Sequence, residues 1–240
     1  MKNKEEVKKE LASFYKGLEA KDYDLLRNMS PSNKKIMNVQ KKIIRNLVSS
    51  STGKKILDVA CGTGFFFKEY GQKEVYGIDI SEEMLKIAKL NNPLNTKVLK
   101  VGDALHLPFK DNFFDVTITN RFLMHTPEFS RIISEMVRVT KKGGSIILDL
   151  PNKNSISYIF TKFRIMLGKI RYFNFFTKND IVDICKRNHL EIADIKGTTV
   201  LTYKAVPQSL YWFIDKLNDV KFLKDNLSYI FYVRLIKNEL

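Results

Sequence analysis

Three aspartates in this 240-residue chain, Asp58, Asp79 and Asp103, each follow or close a short apolar run, and carboxylates so placed can bind a ligand. The first sits in Ile56-Leu57-Asp58-Val59-Ala60-Cys61-Gly62-Thr63-Gly64, an apolar strand that meets an acid and breaks into a glycine turn. Gly62 and Gly64 offer no Cβ to block close contact. The crevice beyond the carboxyl end of the first strand is also where open α/β sheets bind nucleosides. A dinucleotide fold would place a third small residue here so that the next helix could receive a pyrophosphate. Phe65, Phe66 and Phe67 follow instead, which disfavours NAD. Asp58 points the same way, because a carboxylate beside the turn repels a pyrophosphate and attracts a cation.

A nucleoside that carries both an ammonium and a sulfonium satisfies this charge pattern, and S-adenosylmethionine, with S-adenosylhomocysteine as its product, is such a ligand. Asp79, in Tyr76-Gly77-Ile78-Asp79-Ile80, ends the second strand at the separation expected of a carboxylate that accepts both ribose hydroxyls. Asp103, in Val101-Gly102-Asp103-Ala104, follows the third. Its carboxylate can accept from the adenine amino group while the Ala104 amide donates to a ring nitrogen. Any one of these acids alone reads equally well as a cap or a solvated turn. Three at the ends of three successive strands do not.

The segments LDVACGTG, GIDIS with Glu82-Glu83-Met84-Leu85, GDALHLPF, and FDVTITNRFLMH with the run to Lys141-Lys142-Gly143-Gly144 occur in that order over residues 54 to 150. Together they resemble the class I S-adenosylmethionine-dependent methyltransferases, in the broad group that includes small-molecule and quinone-biosynthesis enzymes. The resemblance implies a doubly wound, Rossmann-like α/β fold with a seven-stranded, mostly parallel sheet in the order 3-2-1-4-5-7-6, the last-numbered strand antiparallel. It also implies that the turn Ala60, Cys61, Gly62, Thr63 and Gly64 meets the methionine portion of the cofactor and Asp79 the ribose. Ile80 and Met84 would take the adenine face, and Asp103 and Ala104 its edge. Asn120, with Arg121, would lie beside the methionine portion and the transferring methyl.

The elements that must position these residues follow from periodicity. Val7, Leu11, Phe14 and Leu18 keep helical spacing, and Ser30-Pro31 opens a second helix through Ile36, Val39, Ile43 and Leu47. From Lys54 short β-rich runs alternate with amphipathic helices, the pattern of a parallel sheet. Strands are expected near 54–60, 74–80, 96–101, 114–119, 145–150, 191–196 and 229–237. Ser81 suits the cap of one helix, and Lys141-Lys142-Gly143 suit the end of another over 127–140. Thr177 with Asp180 forms a capping-box pattern before a helix over 178–188. The chain reads as one methyltransferase domain over 1–240: a helical region 1–50, the cofactor-binding core 51–150, a cap insertion 151–176, and the remainder of the fold 177–240 with a second insertion at 198–228.

The acceptor is less constrained. Methyl transfer needs a general base only where a proton must leave, and His125, just past the fourth strand, is the candidate catalytic base; its plainer reading is a packing or capping histidine. His106 reads as a residue that packs or hydrogen-bonds beside the adenine-reading segment, His189 as exposed, and Cys61 as a small turn residue. No metal-ligand spacing appears. From Pro151 to Lys178 there are six basic residues and no acid, interleaved with aromatics. Ile156, Phe160, Phe163 and Leu167 share a helical face, either a lid over an apolar or anionic acceptor that can rest on a membrane surface, or, more plainly, a cap buried on its own domain with a solvated basic face.

Two cysteines exclude a disulfide framework, and a reducing cytoplasm is the expected home. Neither a signal peptide nor a membrane-spanning run is legible. The net charge of +15 permits an anionic partner or reflects no more than a lysine-rich composition. The favoured function is methylation of a small or lipophilic metabolite. The alternatives are an RNA methyltransferase, which the charge and the basic aromatic stretch favour, and a catalytically silent cofactor-binding scaffold. Against RNA, the fourth strand ends in Asn120-Arg121-Phe122-Leu123, unlike the NPPY-type sequence tied to amino methylation of bases.

Overall fold

The computed structural model describes residues 30–91, 96–168, 172–201, 203 and 207–238. The helix expected over 5–19 lies outside them. Pro31–Ser49 forms α1, capped by Ser30, whose hydroxyl accepts from the Asn33 amide at 3.1 Å. Then follow β1 (Lys55–Val59), β2 (Glu74–Asp79), α2 (Glu82–Asn91), β3 (Thr96–Val101), β4 (Phe114–Thr119), α3 (Phe129–Val139) and β5 (Thr140–Pro151). The chain continues through α4 (Ile156–Met166), α5 (Lys178–Asn188), β6 (Leu190–Gly197), α6 (Tyr211–Asp219), α7 (Lys221–Leu227) and β7 (Ile230–Lys237).

The strands make one 7-stranded sheet in the order β3-β2-β1-β4-β5-β7-β6. Pairs among β1 to β5 are parallel, and β7 runs antiparallel to both β5 and β6. This is the Rossmann-like arrangement that the motifs implied. Strand order reverses beside β1, which pairs with β2 on one side and β4 on the other, so the crevice beyond Val59 and Thr119 is the switch point where such sheets hold ligands.

Alternation along the strands covers both faces of the sheet. Leu57, Val59, Ile146 and Leu148 pack with Ile132 and Met136 of α3 and Ile181 and Ile184 of α5. Ile56, Val116 and Ile147 pack with Ile44, Leu47 and Val48 of α1 and with Phe66, Phe67 and Tyr70. The Thr177 capping box forms as the sequence required, with Thr177 Oγ1 accepting from the Asp180 amide and the Asp180 carboxylate accepting from Thr177.

Two expectations are corrected. Lys141, Lys142 and Gly143 do not end α3: Thr140 is already extended (ψ 138°) and these residues begin β5. The Thr140 hydroxyl donates to the Met136 carbonyl at 2.6 Å and closes the helix at Val139, while Lys141 pairs with Asp115 at 2.6 Å. The second correction concerns α4, which is not a cap buried on its own domain. None of its residues is buried, and its most apolar side faces outward.

Candidate active site

Ala60 follows β1 with φ 59°, and Gly62 and Gly64 also adopt positive φ. A left-handed alanine is uncommon, and strain of this kind gathers where a turn must approach a ligand. The turn is held by hydrogen bonds from the Cys61 amide to the Ile78 carbonyl and from the Gly64 amide to the Cys61 carbonyl, both 3.0 Å. A Cβ at Gly77 would stand 2.8 Å from Cys61 Sγ, so this glycine is what allows β2 to lie against the turn. A Cβ on Gly62, by contrast, would meet nothing within 4 Å. The backbone faces open space there.

Asp79 joins the turn to β2. Its Oδ2 accepts from the Gly62 amide at 2.8 Å and its Oδ1 from the Ser81 amide at 3.0 Å. Burial raises its pKa above the ordinary carboxylate value, and the amides of Ser81, Gly62 and Ile80 oppose that rise. The Cys61 thiol is pushed well up, first by burial and then by the charges of Asp58 and Asp79. It is therefore not a nucleophile. The carboxylates of Asp58 and Asp79 beside it make the turn negative, which suits a cationic ligand.

A second set of buried polar groups lies between β1 and β4. Asp58 is 2% exposed, and the Tyr70 hydroxyl donates to its Oδ2 at 2.5 Å. Burial, followed by the Asp58 charge, drives the Tyr70 pKa well above its ordinary value, so the phenol keeps its proton. Asn120 Nδ2 donates to the same hydroxyl at 3.3 Å. Asn120 Oδ1 is buried with no hydrogen-bond partner among the described residues, and an orphan acceptor at the switch point is suited to an ammonium. The next residue, Arg121, has φ 58°, with its amide donating to both oxygens of the fully buried Asp149 at 2.9 and 2.8 Å. Tyr70 and Asp149 were not picked out in the sequence. The signal for Asp149 was there, as the one acid within the apolar Ile146–Pro151 segment; no local pattern marks Tyr70.

Along the rest of the rim, Asp103 Oδ1 accepts from the Leu105 amide at 3.0 Å, and Ala104 is nearly buried beside it. Ile80 is 44% exposed and offers an apolar face. Met84 does not: at 2% exposure it is packed beneath the rim. Thr63, 1% exposed, is likewise structural support for the turn.

His125 ends a short 3-10 turn after β4 and stands edge-on to Phe173, ring centroids 5.4 Å apart. Burial, and then the Arg121 charge, lower its pKa to about 4 against a hydrogen bond with the Tyr172 backbone. The turn is stapled to the segment after α4 by Asn174, whose Nδ2 donates to the carbonyls of Leu123 and Thr126 at 2.8 and 2.7 Å. Asn174 too escaped notice in the sequence. His106 and His189 are exposed.

A family model described as a methyltransferase domain matches residues 57–148. The malonyl-[acyl-carrier protein] O-methyltransferase of Buchnera aphidicola is 30% identical over 209 residues, 86% of this chain and 79% of the relative. The chain belongs to the class I S-adenosylmethionine-dependent methyltransferases. A demethylmenaquinone methyltransferase of Staphylococcus aureus is 36% identical over 155 residues, and this match spans 60% of each chain. Among solved structures, magnesium protoporphyrin IX methyltransferase of Synechocystis PCC 6803 with bound S-adenosylhomocysteine superposes with a TM-score of 0.67, at 19% identity, over 97% of this chain and all of that one. That likeness shows the fold. As a class I methyltransferase the chain uses S-adenosylmethionine, and the negative turn, the Asp79 carboxylate and the free Asn120 oxygen fit that cofactor.

Proposed function

We propose that the chain methylates a small or lipophilic acceptor that approaches between the Arg121–His125 turn and α4, at an atom that needs no strong general base. When bound, S-adenosylmethionine supplies a methyl group activated by its sulfonium, so in-line orientation can account for about 7 to 11 kcal/mol of the barrier. Asp79 would hold the ribose, Asp103 and Ala104 the adenine edge, with Ile80 against its face. The Ala60–Gly64 turn and Asn120 would hold the methionine portion, and Asp58, fixed by Tyr70, would keep the crevice negative.

The observation that carries the acceptor reading is the setting of His125, edge-on to Phe173 in a turn stapled by Asn174, where burial and the Arg121 charge hold its pKa down at about 4. An imidazole so perturbed is neutral at physiological pH and a weak base. It can orient an acceptor but does little to remove a proton from one. This favours a nucleophile that already lacks its proton, such as a carboxylate or an enolate. Arg121, whose backbone is fixed by Asp149 beside the His125 turn, supplies a positive charge on this side of the crevice, which supports an acceptor with negative charge. The acceptors named among the relatives, a malonyl group on a carrier protein and demethylmenaquinone, support a metabolite over a nucleic acid.

The test is turnover. The purified chain is incubated with methyl-labelled cofactor and either total RNA or a lipid and small-metabolite extract near physiological salt. Label is expected in the extract, without the steep salt dependence that several phosphate contacts would impose. Stoichiometric, site-specific labelling of RNA with none in the extract would overturn the proposal.

A further inference from the structure

Helix α4 is amphipathic in the opposite sense from a helix packed on a core. At 3.6 residues per turn, Ile156, Ile159, Phe160, Phe163, Met166 and Leu167 fall within an arc of about 120°. Every one is exposed, from 42% at Ile156 to 72% at Met166. The residues opposite them, Ser157, Tyr158, Thr161 and Ile165, are the half-buried ones that face the protein. A contiguous apolar surface of this kind, turned to solvent, marks an interaction site.

Its borders indicate the partner. Lys162 and Arg164 are exposed and project about 40° beyond either edge of the apolar arc, where long basic side chains can lay their stems on an apolar layer and their charges at its polar boundary. The segment from Pro151 to Lys178 contains six basic residues and no acid. At 11 residues α4 is too short to cross a bilayer, and among the described residues no helix is long and apolar enough to do so. Its length, arc and charged borders are those of a helix that lies in a membrane interface.

The surroundings extend the same surface. β5 delivers α4 at Pro151, which pairs with Ile230 where β7 begins. The Asn152 amide group donates to the Asn226 carbonyl at 2.8 Å and ties the end of α7 to the start of α4. The α6–α7 insertion thus joins the same rim, and it exposes Trp212, Phe213 and Phe222, residue types that favour the polar boundary of a bilayer. This is also the rim along which the acceptor is proposed above to approach.

We propose that the outward face of α4 docks on an anionic phospholipid surface, with Ile159, Phe160 and Phe163 entering the acyl boundary and Lys162 and Arg164 held by the headgroups. Docked in this way, the enzyme would take a lipophilic acceptor directly from the membrane. Vesicle binding needs neither cofactor nor acceptor, so it stands or falls separately from the methylation proposed above.

The experiment is co-sedimentation of the full chain with vesicles of phosphatidylcholine alone and of phosphatidylcholine mixed with phosphatidylglycerol. Partition onto the mixed vesicles is expected to be stronger by about tenfold or more, since each basic residue held at an anionic surface contributes roughly fivefold. The triple change Ile159→Ser, Phe160→Ser, Phe163→Ser is expected to lower it by about tenfold or more. Lys162→Glu should lower it by several-fold and weaken its response to salt. All four side chains are exposed, so the variants should bind S-adenosylhomocysteine as the unaltered chain does, which serves as the check on folding. Equal binding to both vesicle types would overturn the proposal. So would vesicle binding untouched by the triple change, which would mean that net charge alone is responsible. A wild-type dimer that the triple change disperses, with no vesicle binding, would assign the face to a second copy and likewise overturn it.

Discussion

The rim of β1 to β4 and the rim of β5 to β7 face the same crevice but are built in opposite ways. On the first, Asp58, Tyr70, Asn120 and Thr63 are all buried, the turn has little freedom, and each carboxylate holds a hydrogen bond to backbone or phenol. On the second, α4 has no buried residue and α6 and α7 expose their aromatics. A ligand common to a whole family can be met by a fixed, desolvated frame whose polar groups are already aimed. A surface that captures a particular acceptor, or a membrane, keeps its apolar side free for it.

The largest expected effect lies in the first region. Asp79→Ala should weaken S-adenosylhomocysteine binding by about 4 kcal/mol, near a thousandfold, because two hydroxyls lose a charged acceptor. Calorimetry checks it, and a folded variant with an unchanged dissociation constant would remove Asp79 from the site. His125 joins the two regions, and its effect depends on pH. Its folded-state pKa of about 4 lies below the ordinary 6.5, so between those values the unfolded chain binds the extra proton. This contribution to stability is full above pH 6.5 and is lost as pH falls toward 4, by roughly 3 kcal/mol. Urea unfolding at both ends of that window should show the loss in the unaltered chain and less of it in His125→Gln.

Tyr70→Phe should cost about 2 kcal/mol of stability, since it strips a donor from a buried carboxylate; a midpoint in urea equal to the unaltered chain's would make the Asp58–Tyr70 bond incidental. Smallest is the effect of Phe163→Ser on α4, expected within about 0.5 kcal/mol because an exposed side chain leaves no cavity. A larger loss would mean that α4 is packed after all, and would erase the contrast between the rims.

The same contrast governs what could be read from sequence. Strand ends, glycines and acids of the cofactor frame follow local rules of turn and charge, so the positions of Asp58, Asp79, Asp103 and Asn120 at successive strand ends were legible. Met84 was not, since helical spacing alone does not tell a residue beneath the rim from one above it. Tyr70, Asp149 and Asn174 act across long sequence separations, Tyr70 on Asn120 and Asn174 on the His125 turn, and no local pattern announces such pairs. The face of α4 was legible but its direction was not. Periodicity finds an apolar stripe without saying whether core or solvent lies against it. Asn174 and the buried Phe176 also show that the stretch after α4 belongs to the scaffold, although the cap read from sequence runs to 176.

The cofactor frame is complete without the apolar face of α4. The most direct test of this is calorimetric titration of S-adenosylhomocysteine into the unaltered chain, into Asp79→Ala and into the Ile159→Ser, Phe160→Ser, Phe163→Ser variant. Micromolar binding is expected of the first and third, equal within about twofold, and binding weakened by near a thousandfold, about 4 kcal/mol, in the second. Loss of cofactor affinity in the α4 variant, or its retention in Asp79→Ala, would contradict it.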